Sequence, residues 1–278
     1  MQELFPKNHQ DDKEIGFNSE EEDIENVEFS LNNAIMDTGF VDSLLTKLHK
    51  YEHNCPISSL FIGKSVDEAN RKQYVNELLA KASNFGLCLE ATFHAVKLFD
   101  IIKSSVLFEE HGNDFLIFLC LIESSKTHCL SKAPQLCHSF SHDSKIDTSM
   151  LVLIEMKLLQ HLEYDIYMST PLLFFQALIT PFLSLISNDF IFICEFILLI
   201  ALQHIDCLYI DSEQLSINTI CFVNSILGTQ LSLTKDTSYD EWVEIIRPKI
   251  IEIDDNSRNL VWFSKFSDTI QKFINKIK

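Results

Sequence analysis

Four charged residues stand in otherwise apolar helical stretches, Arg71, Asp100, Lys126 and Glu155, separated by 29, 26 and 29 positions. Two cations and two carboxylates in such surroundings can pair inside the protein or present charge to a partner, because a buried ion left unpaired is strongly destabilising. Arg71 with Asp100 would make an internal fork between consecutive helices, a planar guanidinium meeting a carboxylate through two parallel hydrogen bonds. Lys126 and Glu155, at the ends of two helices, are expected to face outward toward a partner. Taken singly, each of the four is also compatible with an ordinary solvated or snorkelling side chain.

The elements that must carry them are helices. Arg71 opens a segment in which Tyr74, Val75, Leu78, Leu79 and Ala82 follow the i, i+3, i+4 rhythm of one helical face. Asp100 closes a stretch whose apolar stripe runs Leu89, Phe93, Val96, Leu98 and Phe99. Lys126 ends Asn113–Lys126, apolar almost all round and therefore predicted to be the buried centre of a bundle. Glu155 lies among Leu and Ile. Hydrophobic residues make up 46% of the 278, Gly and Pro number only six each, and β-branched runs bounded by Gly are missing. The fold class is all-α. A repeat of pattern, without residue similarity, relates Leu89–Lys103 and Asn113–Lys126 to Asp189–Asp206 and Ser212–Leu227. Tyr239–Ile251, which Pro248 ends or kinks, and Ser257–Ile277 complete the second half.

The set of residues resembles the cyclin box of B-type (mitotic) cyclins. Asn70-Arg71-Lys72-Gln73-Tyr74 takes the place of a Met-Arg-Ala-Ile-Leu motif. Ala95-Val96 followed by Asp100 matches an Ala-Val, three residues, Asp element, and Ser124-Ser125-Lys126 matches Ala-Ser-Lys. Ile154-Glu155 stands for Met-Glu, Leu162-Glu163-Tyr164-Asp165-Ile166 for Leu-x-Phe-Asp-Leu, and Ser169-Thr170-Pro171-Leu172-Leu173-Phe174 lies where Pro-Thr-x-x-x-Phe opens the second repeat. Phe61-Ile62-Gly63-Lys64 resembles the B-type linker and Phe40–Glu52 the helix before it, and no gap is needed from Phe61 to Phe174.

The resemblance implies two stacked five-helix cyclin-box bundles with a preceding N-terminal helix: 1–30 an acidic disordered tail, 31–60 the helix and linker, 61–168 the N-terminal box, 169–278 the C-terminal domain. It also implies a regulatory subunit, in the nucleus and cytoplasm, that forms a heterodimer with a cyclin-dependent kinase catalytic subunit and controls cell-cycle progression. Lys126 and Glu155 would then grip backbone groups around the kinase's regulatory helix, Tyr164 and Ile166 would add apolar contacts, and Arg71 with Asp100 would be a structural ion pair. The chain also departs from the family. Thr127-His128-Cys129 replaces Phe-Glu-Glu, so Thr127 stands where an aromatic anchor is expected. The substrate-docking patch falls on Asn70, Gln73, Tyr74 and Glu77, mostly polar, so recruitment of Arg-x-Leu substrates is expected to be weak or lost. No arginine precedes Arg71 to form an Arg-x-x-Leu destruction signal. The alternative is a cyclin-fold adaptor, transcription-associated or scaffolding, that does not activate a kinase.

Composition excludes other classes. Net charge is −18, and Met1–Ser30 holds ten of the forty acids against two lysines, the pattern of a solvated acidic arm. With only three arginines in the chain and no basic patch, nucleic-acid binding by counterion release is disfavoured. The first thirty residues lack the apolar core of a signal peptide. The apolar stretch Pro171–Ile210 is broken by Gln176, Pro181 and Glu195, and neither half reaches the roughly 20 residues of a membrane span; buried core helices account for it. Eight scattered cysteines read as small core hydrophobes in a reducing compartment. His128-Cys129 with Cys137-His138 offers zinc-ligand types at a spacing unsuited to a tetrahedral site, so no metal is expected, and no cofactor is implied. Phosphate loops, a nucleophile elbow and paired histidines at metal-binding spacing are all missing. His94, His161 and His204 are expected to be packed or surface residues, and an enzyme is not expected.

Overall fold

Helical periodicity with few breakers gives helices throughout. The computed structural model describes residues 38–54, 68–105, 110–144, 148–229, 231, 233, 238–253 and 260–278, all within one compact unit, Met36–Lys278. A separate unit, Met1–Ile35, lies outside the described residues, and with it the acidic arm; the Phe61–Lys64 linker lies outside them too. Among the described residues there are eleven α-helices and no strands. They are α1 (Thr38–Asn54), α2 (Glu68–Asn84), α3 (Leu89–Ser104), α4 (Asn113–His128), α5 (Ala133–Ser144), α6 (Thr148–His161), α7 (Pro171–Ile179), α8 (Asn188–Gln203), α9 (Ser212–Leu227), α10 (Tyr239–Ile251) and α11 (Ser267–Ile277).

Local chemistry starts and stops several of them. Thr170, Ser187 and Asp211 are N-caps whose side chains accept hydrogen bonds from the N–H groups of Leu173, Phe190 and Gln214, satisfying donors that the first helical turn leaves open. Pro171 supplies a preset φ at the start of α7. Gly228 ends α9 in the left-handed region, at φ 72°, with its N–H on Asn224 O. Helix α10 runs three residues past Pro248 to Ile251, so this proline does not end it; near the C-terminus of a helix the missing N–H removes a single bond. Two boundaries differ from expectation. The Pro171–Ile186 stretch is helical only to Ile179 and then tightens to a 3-10 turn at Thr180–Phe182, around Pro181. Helix α8 stops at Gln203, and Ile205–Tyr209 forms a 3-10 turn. Residues 260–266 are turn and 3-10, so the last α-helix begins at Ser267.

Helices α3 and α4 pack on each other most extensively, and α9 packs on both α7 and α8. Every residue of α3 from Ala91 to Ile102 is buried, and so is every residue of α4 from Phe115 to Ser125. One hydrophobic cluster runs from Val75 to Ile277, through Phe99, Leu119, Leu172, Ile197, Phe222 and Trp242. A satellite of Leu48, Phe174 and Ala177 seats α1 on α7. The apolar faces of α7 and α8 are spent in this core, and among the described residues no helix is long and apolar enough to cross a membrane.

Because α3 is buried all round, its charges must be neutralised from neighbouring elements. Asp100 receives Arg71 of α2 through Nε at 2.9 Å and Nη2 at 2.8 Å, while Nη1 of the same guanidinium donates to Leu202 O of α8 at 2.9 Å. Lys97 donates to Glu52 of α1 at 2.8 Å and to Ser169 O at 2.7 Å. Glu52 also accepts from the Ser169 hydroxyl and from both the N–H and the hydroxyl of Ser212 at the start of α9.

Removing the guanidinium would strand Asp100 and the Leu202 carbonyl. Arg71→Ala is expected to cost about 3–5 kcal/mol of stability, read as a lowered midpoint in urea unfolding, and Arg71→Lys to restore only part of it because an ammonium lacks the fork. A midpoint unchanged in the alanine variant would show that the pair contributes nothing.

Candidate functional site

The C-terminal turn of α4 brings together the second pair of sequence-singled charges. Lys126 Nζ lies 2.5 Å from Glu155 Oε1 on α6 and 2.9 Å from Glu123 Oε1, one turn back on its own helix. The expectation that Lys126 and Glu155 both face outward is therefore modified: they face each other, and Glu123, which sequence reading passed over, completes a triad. The reason is position, since two like carboxylates in a half-buried groove require a cation between them. The signal that could have found Glu123 is its i−3 spacing from Lys126. The Lys126 side chain remains 33% exposed and that of Glu155 22%, whereas Glu123 is 5% exposed. Burial pulls the Lys126 pKa down, but hydrogen bonds to Glu155 and Glu123 outweigh it and hold the ammonium above its ordinary value. At Glu123 burial dominates and pushes the carboxyl up, against the opposing pull of Lys126.

Thr127 turns its hydroxyl back onto Glu123 O at 3.1 Å, one turn earlier in its own helix. Tyr164 and Ile166 follow α6 in a turn with Glu163 at φ 52° and Tyr164 at φ 63°, where the Tyr164 N–H reaches back to Leu159 O at 2.7 Å. Two successive non-glycine residues in the left-handed region are uncommon and fix the direction in which the chain leaves the helix. Tyr164 is 67% exposed; Ile166 is half-buried.

His94, buried in α3, holds this exit. Its Nε2 lies 2.7 Å from Ile166 O and its Nδ1 3.0 Å from Ser124 Oγ on α4. Since a carbonyl can only accept, Nε2 carries the proton and Nδ1 accepts from the serine hydroxyl. Burial lowers the His94 pKa to about 4, against the opposing hydrogen bond to Ile166, with the nearby His128 ring and Lys97 acting in the same direction as burial.

Helix α6 buries Leu151, Ile154 and Leu158 and leaves Met150, Val152, Leu153 and Met156 at 48–61% exposure. Val152 and Met156 flank Glu155 on the helix, so an apolar strip borders the ion pair. On α2, Asn70 and Gln73 are exposed while Tyr74 and Glu77 are half-buried, and Tyr74 stacks obliquely on Phe99 at 6.1 Å, committed to the interior. His204 is buried beside Lys249, and His161 is exposed.

The described cysteines divide into two kinds, Cys55 lying outside the described residues. Cys120, Cys194, Cys207 and Cys221 are buried as small core residues, whereas Cys88, Cys129 and Cys137 are half-buried. Cys129 lies 2.8 Å from Cys88, sulfur to sulfur, a pairing over 41 positions that no local spacing signals. Among the described residues no group of three or more His, Cys, Asp or Glu side chains is placed to hold a metal ion. No family model matches the chain, and no curated protein matches it either.

Stability should respond to His94 in acid. Its folded pKa lies below the unfolded value near 6.5, so the contribution is present above about pH 6.5 and is lost as pH falls toward 4, by about 3 kcal/mol at the limit. Urea titrations between pH 7 and 4 are expected to show a shallower pH slope for His94→Gln than for the unsubstituted chain, with equal slopes excluding this residue as the cause.

Proposed function

We propose that the chain is a divergent cyclin of B type, the activating subunit of a cyclin-dependent serine/threonine protein kinase. The observation that carries the reading is the exposed apolar strip of α6 running alongside the half-exposed Lys126–Glu155 pair. Val152, Leu153, Met156 and Tyr164 offer a surface for the apolar face of a partner helix, and charged groups at its rim can engage that helix's backbone. An ammonium has three hydrogens; Glu123 and Glu155 take two from Lys126, leaving one for a partner carbonyl. The arrangement of α2–α6 and α7–α11 after α1 supports the two-box architecture that the resemblance implies, with residues 61–168 and 169–278 as the two halves.

In this reading the protein performs no chemistry. It binds one conformation of the kinase's regulatory helix more tightly than the other and so shifts the kinase toward the state whose Lys–Glu pair and activation segment are competent. Lys126 and Glu155 bind backbone groups, Tyr164 and Ile166 extend the apolar contact, and Arg71 with Asp100 keeps α2 and α3 in register beneath them.

One observation favours a second reading, a cyclin-fold adaptor that binds partners without activating a kinase. The Thr127 hydroxyl is spent on its own helix, so an outward anchor is lacking at the position where the family has an aromatic ring.

Co-purification from the native cells, with kinase assay of the recovered material, separates the two. Lys126→Ala and Glu155→Ala are each expected to weaken recovery of an active kinase by about 2–5 kcal/mol of binding, and Leu153→Asp to abolish it while shifting thermal stability by no more than about 0.5 kcal/mol, because the side chain is exposed. Recovery of no kinase, or of one indifferent to all three substitutions, overturns the activating-subunit reading and leaves the adaptor.

A further inference from the structure

The half-buried thiols of Cys88 and Cys129 meet where two buried helices turn. Cys88 is the N-cap of α3 and Cys129 the C-cap of α4, so the pair sits at the shared end of the two most extensively packed helices. Cys129 Sγ accepts the Cys88 backbone N–H at 3.4 Å and lies 2.8 Å from Cys88 Sγ. Cys129 donates its S–H to Cys88 in the neutral pair, but a sulfur that also accepts from an amide is the better site for negative charge, so Cys129 is the thiol that ionises, with the remaining proton on Cys88 turned toward it. The Cys88 thiol lowers the Cys129 pKa to about 6, with the Cys88 amide and Lys132 assisting and burial and Glu90 opposing; Cys88 is pushed well up by the same hydrogen bond and by burial. Cys137, half-buried but without a thiol partner, is instead raised by burial. Low-pKa thiolate character, partial exposure and an adjacent second thiol are the three requirements of a reversible redox site.

We propose that Cys88 and Cys129 form a redox-active dithiol, a modification site at which hydrogen peroxide oxidises Cys129 and Cys88 resolves the product as a disulfide. The Cys129 thiolate attacks the peroxide, forming an S–O bond as the O–O bond breaks and the departing hydroxide takes a proton to become water. Cys88 sulfur then attacks Cys129 sulfur, forming the S–S bond and expelling the sulfenic oxygen, which leaves as water with the Cys88 proton. The two thiols lose two electrons and two protons in total, and one peroxide is reduced to two waters. The sulfurs need to close by under an ångström, from 2.8 Å to the ~2.05 Å of a disulfide. The bond would tie the start of α3 to the end of α4, three residues beyond Lys126, and so lock the turn that presents the candidate docking site. The modification itself does not depend on which partner that site binds.

The test uses the full chain, treated with stoichiometric hydrogen peroxide, quenched with iodoacetamide and digested without reductant. Mass spectrometry is expected to find Cys88 and Cys129 in one cross-linked species, lighter by two hydrogens and restored by dithiothreitol. Without peroxide, at neutral pH, Cys129 should alkylate at least ~10-fold faster than Cys137, its thiolate fraction being the larger. In Cys88→Ser, the cross-link is replaced by a Cys129 sulfenic acid that dimedone traps, and alkylation of Cys129 slows. Absence of the Cys88–Cys129 link in the unsubstituted chain, or alkylation of Cys129 no faster than of Cys137, overturns the proposal; both are read without any variant.

Discussion

A single guanidinium holds three helices to one another. Arg71 projects from α2 into a position 5% exposed, takes both oxygens of Asp100 on α3 through Nε and Nη2, and donates from its third nitrogen, Nη1, to Leu202 O in the last turn of α8. The geometry is demanding. An isolated carboxylate at the Asp100 position, 2% exposed, would be intolerable, and so would an unpaired carbonyl at a buried helix end. Hydrophobic burial is non-directional, whereas the fork is specific to one placement of α2, α3 and α8, because a displacement of a few ångströms leaves two buried ions unpaired. The apolar core supplies most of the favourable burial and the ion pair selects one register of it.

A second buried cation repeats the device one turn back on the same face of α3. Lys97 and Glu52 join α1 to the middle of the core, and the same carboxylate receives Ser169 before α7 and Ser212 at the start of α9. Burial alone would raise the Glu52 pKa, yet Lys97 and the two serine hydroxyls bring it below its ordinary value. With Arg71, this makes α3 a polar spine within an apolar helix: His94, Lys97 and Asp100, spaced at three residues, each reach a different neighbouring element. His94 carries that order to the surface, since its bond to the Ile166 carbonyl sets the chain leaving α6 and thereby the exposed Tyr164.

The surface so positioned is unusual in combining exposed apolar side chains with a charge triad that is only partly satisfied by itself. Val152, Leu153 and Met156 on one helix make a contiguous strip, more than scattered surface hydrophobes require explaining. Lys126 divides its charge between Glu123 and Glu155, so two of its three N–H donors are taken within the triad.

Much of this architecture was legible in the residues. The all-helical class and the α3, α4 and α9 segments follow from apolar period and the scarcity of Gly and Pro, both of which act over a few residues and are written locally in the chain. Arg71 and Asp100 could be singled out because a charge inside an apolar helical face must find its opposite, and few candidates existed. Glu52, the Leu202 carbonyl and the Cys88–Cys129 contact could not. Their significance comes from proximity across 45 positions for Glu52 and Lys97, 131 for Arg71 and Leu202 and 41 for the thiols, and a side chain's partner over such separations depends on how helices cross and rotate rather than on its own type. The same limit explains why Lys126 and Glu155 looked outward in sequence and pair in the fold. Sequence alone determined that these charges needed partners, because desolvation is a property of the group; only tertiary packing decided which partners, because distance is a property of the fold.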